Sequence, residues 1–547
     1  MESKLIEGEN SEMVKIAVVG GGLAGCAAAV RLAYAGHQVT LFEKNAHLGG
    51  KMNVWEEGGY YFDMGPTIIT KPDVLDRLFA DVGRKREDYL DLVALDPQWR
   101  AFFADGSQVD LYSSLMEMTA ELKRFAPDEV GNYLAFLAYS QKMNDITDRW
   151  FYWKSYGGLT DMMKANPMNA QSLSLMMNMD PLTTMHQAVR KHFKDERLAQ
   201  LFEHFVQYVG SSPFVSPAIL CLIAWVQIGL GCWYPRGGTG EIARSLTKLC
   251  DELGVDVRLN SPVARIESQH NRVTGVTLEA SGPEIGLIGS GYSNGNGAKS
   301  GTFEPFDVVV ANSDIVRTLE QMLTGDNAHA YLKKNEKQLE PACSGIVLYL
   351  GCNKTWPQLK HHDFYFSANS DEEFKDLYER KVPHEDPTCY LAVPSITDPQ
   401  VAPPDCTALY VLVHCPYVSE AFDWDKHTPR YRDVIIDKLE RSGLTGLRSS
   451  IQVSRTVTPR DLESMYWVNR GAIYGVVTQR NLNAAFKTAN RSELIKGLYW
   501  AGGSVNPGPG VPMVLMSGQI AANCVIEDYG QGGAPSPHKD LRLAGVS

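Results

Sequence analysis

The stretch that decides the fold is residues 14–43, VKIAVVGGGLAGCAAAVRLAYAGHQVTLFE. The apolar run over 14–19 predicts a buried parallel strand, which leads directly into a G-x-G-x-x-G pattern at residues 20–25. A helix of small residues is predicted from Cys26 to Ala35, followed by a second strand at Gln38–Phe42. An acid, Glu43, closes that strand, and this order of elements is typical of a dinucleotide site.

Each part of the pattern has a physical reason. Gly20 permits the tight turn, Gly22 lets the backbone approach a pyrophosphate, and Gly25 allows close packing of helix on strand. The start of the helix offers free N–H groups to phosphate oxygens. The carboxylate of Glu43, 18 residues after Gly25, is placed to accept hydrogen bonds from ribose hydroxyls.

Further blocks decide between the possible dinucleotides. Residues 48–51 (LGGK) and 59–66 (GYYFDMGP) resemble two segments of the amine-oxidase-like FAD superfamily, and no second G-x-G-x-x-G follows a strand. Residues 497–503 (GLYWAGG) predict a strand ending in a glycine turn, and 506–513 (NPGPGVPM) lead into a helix predicted over 514–528. The resemblance of the two earlier blocks implies FAD as the cofactor, and N–H groups at the start of this helix would then face the electron-rich edge of a reduced flavin.

Composition excludes several classes of protein. The chain has 547 residues, of which 44% are hydrophobic and 21% charged, as in globular proteins. Its net charge of −12 argues against a nucleic-acid partner, because phosphate binding needs a basic face. The ten cysteines form no C-x-x-C pair, which argues against a zinc ribbon or a thioredoxin-like motif, and His186, His192 and His204 have no metal-like spacing, so no metal is predicted. Free thiols are expected because the chain carries no export signal.

The chain shows no export or membrane-spanning signal. Residues 1–12 are acidic and lack the features of a signal peptide, which predicts a reducing cytoplasmic location. The longest apolar stretch, 218–233, has 16 residues, short of the roughly 20 that a span needs. It is predicted to be a buried or interfacial helix.

The domain organisation is predicted to be discontinuous. Residues 83–235 look mainly helical and carry a methionine-rich stretch, and 341–451 alternate like strands. Soft methionine surfaces suit apolar ligands, and the aromatic and basic residues of the region suit a membrane interface. Residues 281–301 are predicted to be a flexible surface loop. The predicted units are an FAD-binding domain (13–82, 236–318 and 452–529), a substrate domain (83–130 and 319–451), a helical membrane-associated subdomain (131–235) and flexible tails (1–12 and 530–547).

Over residues 14–528 the chain resembles the bacterial and fungal carotenoid desaturases, which include phytoene and dehydrosqualene desaturases. The specific motifs are 62–67 (FDMGPT), 233–240 (WYPRGGTG) and 507–512 (PGPGVP). The resemblance implies an α/β fold with a split Rossmann-type FAD domain, a mixed-sheet substrate domain and a helical membrane-facing part. It implies FAD-dependent desaturation of an apolar polyene at the cytoplasmic face of a membrane, with peripheral attachment. The electron acceptor, quinone or oxygen, stays open.

Site residues follow from the motifs and the resemblance together. The resemblance places Val263 against the adenine, and Val511 and Met513 under the flavin ring. The predicted cofactor-binding residues are Gly20, Gly22, Leu23, Ala24, Gly25, Glu43, Lys44, Gly50, Lys51, Gly65, Pro66, Thr67, Val263, Gly502, Gly503, Gly510, Val511, Pro512 and Met513.

Desaturation of a hydrocarbon requires hydride transfer to flavin N5 and loss of a proton from the adjacent carbon. Asp161 and Arg236 are the candidates that the sequence offers near this chemistry, and each has an ordinary structural alternative as a cap or an ion-pair partner. Other activities stay open on the same scaffold: oxidation of a carotenoid terminal methyl towards an aldehyde, polyene isomerisation, hydroxysqualene dehydroxylation, amine oxidation, or non-enzymatic binding of prenyl groups.

Overall fold

The computed structural model describes residues 13–165, 178–279, 301–482 and 486–530. The predicted tails, apart from Gly530, and the predicted loop, apart from Gly301, lie outside these ranges. Met168, Met176 and Met177 of the methionine-rich stretch lie outside them as well.

The strands of this part are numbered in chain order. They are β1 Lys15–Val19, β2 Gln38–Phe42, β3 Val54–Glu57, β4 Tyr60–Asp63, β5 Leu92–Ala94, β6 Trp99–Phe102, β7 Gln108–Leu111, β8 Trp233–Pro235, β9 Asp256–Arg258, β10 Val263–Gln269, β11 Arg272–Leu278, β12 Phe303–Pro305, β13 Val308–Ala311, β14 Ser344–Cys352, β15 His362–Tyr365, β16 Cys389–Ala392, β17 Thr407–Cys415, β18 Ile451–Val457 and β19 Leu498–Trp500.

The α-helices of six residues or more are numbered in the same way. They are α1 Leu23–Tyr34, α2 Asp73–Asp81, α3 Leu115–Phe125, α4 Val130–Trp150, α5 Leu159–Ala165, α6 Met185–His192, α7 Glu196–His204, α8 Gly240–Glu252, α9 Asp326–Asn335, α10 Ser370–Lys375, α11 Trp424–Arg441, α12 Pro459–Tyr466 and α13 Val511–Tyr529.

A five-stranded parallel sheet, in the order β19-β13-β1-β2-β9, joins distant parts of the chain. Its carboxyl ends meet at one edge, where parallel sheets bind their ligands. Gly20 follows β1, Glu43 follows β2, Asn312 follows β13 and Gly502 comes shortly after β19. The fold therefore brings the two ends of the chain together at a single ligand-binding edge.

A second sheet of seven strands has the order β18-β14-β17-β16-β15-β6-β7. Its neighbours are antiparallel except for the β15–β6 pair, so the sheet is mixed. The nine-residue strands β14 and β17 are buried along their whole length. One face of the sheet packs on Trp424, Tyr431 and Ile435 of α11. The predicted α/β class with a mixed sheet is confirmed.

One predicted domain boundary differs from this topology. The prediction starts the last FAD segment at residue 452, within β18. In the structure β18 pairs with β14 along Val347–Cys352, so it is an edge strand of the mixed sheet. The chain crosses back to the parallel sheet only after α12, and β18 belongs with the substrate half.

The apolar stretch 218–233 is not one continuous helix. It comprises a 3₁₀ turn (Ala218–Cys221), a short α-helical piece (Leu222–Ala224), a π-helical turn (Trp225–Gly229) and the first residue of β8. Gly231 has a φ of +98°, which ends the helical path before the strand. Within the described ranges, no helix combines the length and apolarity that crossing a bilayer requires.

Candidate active site

A cavity of about 860 Å³ runs from the carboxyl edge of the parallel sheet to the face of the mixed sheet. At one end it is lined by the glycine turns after β1 and β19. At the other end its wall is made of aromatic and aliphatic side chains, such as Trp99, Phe364 and Ile223. One space therefore connects a region rich in backbone N–H groups with an apolar region.

The dinucleotide end is built around α1. Gly22 is the N-cap of this helix and makes no side-chain cap, so the first N–H groups of the helix lack a side-chain partner from that residue. The buried carboxylate of Glu43 accepts hydrogen bonds from the N–H groups of Gly21 (2.7 Å) and Asn45 (2.8 Å). These contacts hold the acid at the carboxyl end of β2, beside the glycine turn that follows β1.

Gly25 shapes this turn from behind. A Cβ atom on Gly25 would lie 2.0 Å from the carbonyl oxygen of Gly20, so no larger residue fits between helix and turn. Gly25 does not itself line the cavity. Its position agrees with the packing role that the spacing predicts, and distinguishes it from Gly20 and Gly22, which do line the cavity.

The segment after β2 supplies a buried cation. Lys51 donates to the carbonyl oxygen of Ile473 (3.0 Å), and burial lowers the pKa of its ammonium to about 8, opposed by the nearby Asp314 carboxylate. Gly65 packs directly on this residue, since a Cβ there would lie 2.0 Å from the Lys51 carbonyl oxygen. Lys44 is held differently, by the carbonyl oxygens of Ser464 and Met465.

The C-terminal part of the chain contributes a turn to the cavity lining, and a network of hydrogen bonds holds this turn in place. The N–H of Gly502 donates to Ser517 Oγ (3.1 Å), and that hydroxyl donates to the Asn506 carbonyl (2.7 Å). Gly510, with a φ of +107°, is the N-cap of α13 and makes no side-chain cap. Val511, Pro512 and Met513 then form its first turn against the cavity, with Pro512 suited to that place.

The structure brings almost all predicted cofactor residues to this one cavity. Apart from Gly25, each of them lines it, including Val263 at the start of β10. The helices α1 and α13 both begin at this cavity, next to glycines such as Gly25 and Gly65 where an added Cβ would collide with the backbone. Together these features form a cradle that suits a flat, anionic dinucleotide. The residues present therefore fit FAD, and their individual contacts with it stay predictions.

Neither candidate for the proton chemistry reaches the cavity. The Asp161 carboxylate accepts a hydrogen bond from the Gly157 N–H (2.9 Å), which caps its own turn at the start of α5. Arg236 is 54% exposed and pairs with Asp91 at 3.0 Å. The structure thus favours the structural alternative for both residues, and neither is among the residues that line the cavity.

The sequence did not predict the polar groups that line the apolar part of the cavity. Tyr390 joins Thr67 (2.6 Å) to His362 (2.9 Å) through its hydroxyl. His204 and His414 also line the wall. Tyr410, Leu412 and His414 alternate along β17 and share its cavity face, but both faces of that strand are buried. Periodicity therefore does not indicate which face meets a ligand.

Lys487 is a second buried cation of the cavity wall. Its ammonium donates to the carbonyl oxygens of Val476 (2.6 Å) and Val477 (2.7 Å) and to Thr478 Oγ1 (2.7 Å). Burial lowers its pKa to about 7. Within the described residues, no cluster of three histidine, cysteine or acidic side chains has the geometry of a metal site.

Comparison with known proteins identifies relatives of this chain. A family model described as flavin containing amine oxidoreductase matches residues 23–316. A 4,4'-diapolycopene oxygenase from Methylomonas sp is 36% identical over 520 residues, covering 94% of this chain and 98% of the relative. A 4,4'-diaponeurosporene oxygenase from Staphylococcus aureus is 36% identical over 509 residues, covering 93% and 97%.

Solved structures share the fold at low sequence identity. Putrescine oxidase bound to putrescine superposes with a TM-score of 0.60 at 15% identity, covering 94% of this chain and 99% of that one. A CLA-producing fatty acid isomerase from P. acnes superposes with a TM-score of 0.54 at 14% identity, covering 94% and 98%. The chain belongs to the flavin-containing amine oxidoreductase family and is an FAD-dependent oxidoreductase.

Proposed function

We propose that this enzyme oxidises the terminal methyl group of a linear carotenoid to an aldehyde. The observation that carries the proposal is the cavity, in which an apolar wall continues directly from the cofactor cradle. Two relatives that align along nearly the whole chain are named as oxygenases of 4,4'-diapolycopene and 4,4'-diaponeurosporene. Methyl oxidation was one of the alternatives that the sequence left open.

The apolar wall suits a substrate without charge. Leu220, Ile223 and Val226 come from the broken helical stretch, and Phe364 faces the same space from β15. A polyene chain has no group for an ion pair, so its recognition must come from shape and from removal of apolar surface from water. The same wall shields the bound chain from bulk water.

Conversion of a methyl group to an aldehyde replaces two hydrogens by one oxygen and removes four electrons. Two successive two-electron oxidations are therefore needed, with oxygen supplied by water or by O₂. FAD, when bound, supplies the hydride-accepting chemistry. The glycine cradle positions this cofactor, and the aromatic wall holds the chain end in a fixed orientation.

Desaturation of a linear terpenoid is the second candidate. It is favoured by the same apolar wall, because a hydrocarbon could pass along it and present an internal C–H bond. It needs no oxygen atom in the product. The two candidates therefore share the site and differ in the atoms gained or lost.

We also propose that the cavity opens towards a membrane surface. Met162 and Pro181 line the cavity, and the residue after each is an exposed apolar side chain. Met163 is 40% exposed and Leu182 is 82% exposed. Exposed apolar side chains beside the mouth of an apolar cavity suit the uptake of a substrate from a bilayer.

The test uses FAD-loaded protein mixed with 4,4'-diapolycopene, phytoene or dehydrosqualene in liposomes. Products are analysed by mass after one and several turnovers, in H₂¹⁸O and under ¹⁸O₂. We expect oxygen-containing products from the conjugated polyene, with the label identifying the oxygen source. Products that lose only pairs of hydrogens would favour desaturation. No reaction with any of the three, despite bound FAD, would contradict both candidates.

A further inference from the structure

Two histidines lie together in the wall of the cavity. His204 ends α7 and His414 lies in β17; their ring centroids are 6.1 Å apart and each side chain is 8% exposed. His414 Nε2 lies 2.9 Å from the hydroxyl oxygen of Tyr474, which also lines the cavity. Within the residues that the structure describes, His204 has no hydrogen-bond partner.

His204 is surrounded by apolar groups on the protein side. Its ring meets Phe364 and Phe366 edge-on, with centroids 5.1 and 5.3 Å away. Buried polar groups in folded proteins nearly always have a hydrogen-bond partner. An imidazole that is nine-tenths buried, lines the cavity and has no partner among the described residues therefore points to a ligand with a polar atom.

The chemistry of the pair limits what that atom is. Burial lowers the pKa of His204 to about 3 and that of His414 to about 4, so both rings are neutral. A neutral imidazole offers one N–H donor and one acceptor nitrogen. This combination matches a hydroxyl or an aldehyde oxygen better than a carboxylate, which would need a cation.

The cluster also lies close to the predicted cofactor turn. Tyr474 precedes Gly475, and a Cβ on Gly475 would lie 2.9 Å from the Gly503 carbonyl oxygen. The polar groups therefore sit beside the half of the cavity where the reacting end of a substrate must come, rather than at a remote end of the apolar wall.

We propose that His204, His414 and Tyr474 form a binding site for the oxygenated terminus of a linear polyene, as an alcohol or an aldehyde. The proposal rests on the proposed function and deepens it. An enzyme that oxidises one carbon twice must hold the alcohol formed first in place for the second oxidation. A hydrocarbon end would leave His204 unpaired, whereas an oxygenated end would satisfy it.

The test compares binding of 4,4'-diapolycopene and of its terminal aldehyde to the FAD-loaded full chain without turnover. We expect the wild-type protein to bind the aldehyde at least about tenfold more tightly than the hydrocarbon. His204→Phe should abolish this preference, so that the aldehyde and the hydrocarbon bind with equal affinity. The control is His192→Phe on α6, whose imidazole bonds the Ala188 carbonyl outside the cavity wall and should leave the preference intact.

A vibrational measurement keeps the proposal falsifiable if a variant does not fold. The C=O stretch of the aldehyde bound to wild-type protein should fall below its frequency in alkane, because a hydrogen-bond donor lowers it. An unshifted stretch, or equal affinity for the two polyenes, would overturn the histidine site alone. Failure of the wild-type protein to bind either polyene would instead overturn the proposed function together with it.

Discussion

The hydroxyl oxygen of Tyr390 lies 2.6 Å from the hydroxyl oxygen of Thr67, which joins the mixed sheet to the loop after β4. The same hydroxyl lies 2.9 Å from His362 Nδ1, while His362 Nε2 is buried and has no hydrogen-bond partner among the residues that the structure describes. This chain of three polar groups links the substrate half to the predicted cofactor half. Removing the Tyr390 hydroxyl should therefore affect both the substrate half and the cofactor half.

Tyr390→Phe should therefore lower the free energy of unfolding. Removing the hydroxyl leaves His362 Nδ1 and Thr67 without this shared partner in a buried site, which costs about 1–3 kcal/mol. Denaturant unfolding measures the change, and FAD retention reports the effect on the loop that carries Thr67. Tyr417→Phe, which removes a half-buried contact to Glu340, is the matched control. Equal effects of the two variants would contradict a special role for Tyr390.

Gly25→Ala should weaken FAD binding while leaving the distant sheet intact. The added methyl would lie 2.0 Å from the Gly20 carbonyl oxygen, so α1 or the turn must shift. Overpacking of this kind costs about 1–3 kcal/mol, which corresponds to a loss of FAD affinity of about fivefold to a hundredfold. Titration of apoprotein with FAD measures it.

Gly131→Ala is the control for that substitution. Gly131 is exposed near the start of α4, and, apart from the backbone of its own helix, no atom of the described part of the chain lies within 4 Å of an added methyl. This change should stabilise the protein by about 0.4–1 kcal/mol, because alanine has less freedom in the unfolded chain. Unchanged FAD affinity in Gly25→Ala would show that the turn tolerates displacement.

The sequence predicted the cofactor half well because its signals are local. The strand predicted at 38–42 is β2 with the same bounds, and the helix predicted over 514–528 begins three residues earlier, at Val511. A glycine turn, an adjacent strand and a helix start within thirty residues specify most of their own geometry. Long-range contacts then only join two such units at one sheet edge.

The substrate half was not predictable in the same way, since its site consists of residues far apart in the chain. His204 and His414 meet only because α7 packs over the mixed sheet. Asp161 looked available in the sequence, but its carboxylate is used by the Gly157 N–H four residues away. Such local capping competes with a catalytic role and is visible only in the structure.

Lys487 should make stability depend on pH in a defined direction. Its folded pKa of about 7 lies below the ordinary value of 10.5, so above pH 7 the unfolded chain binds one more proton than the folded one. The free energy of unfolding therefore rises with pH from this group, by up to about 1.4 kcal/mol per pH unit. The stability gained from this group at higher pH is lost as the pH falls towards 7.

The measurement compares unfolding of the wild-type protein and Lys487→Met between pH 7 and 8.5. The wild-type curve should rise relative to that of the variant, and Lys85→Met, at an exposed lysine, should follow the wild type. The comparison with the variant removes contributions from other titrating groups. Parallel curves for wild type and Lys487→Met would contradict a buried lysine that loses its proton near pH 7.

Leu182→Glu should reduce binding to phosphatidylcholine vesicles. Leu182 is 82% exposed and follows Pro181, which lines the cavity, so a bilayer at the mouth would cover it. Loss of one buried leucine side chain costs about 1.5–3 kcal/mol, which corresponds to about tenfold weaker partitioning or more. Cosedimentation measures this, and turnover of polyene dissolved in detergent should be retained because the cavity is unchanged.

Met116→Glu provides the matched control for this membrane face. Met116 is 80% exposed on α3, and neither it nor the residue on either side of it lines the cavity, so it offers a similar exposed apolar side chain that does not follow a lining residue. Vesicle binding should be unchanged by Met116→Glu if the bilayer contacts the mouth. If Met116→Glu abolished vesicle binding and Leu182→Glu did not, the bilayer would contact α3 and not the residues beside the cavity. The substrate would then have to reach the cavity through water, which a polyene avoids.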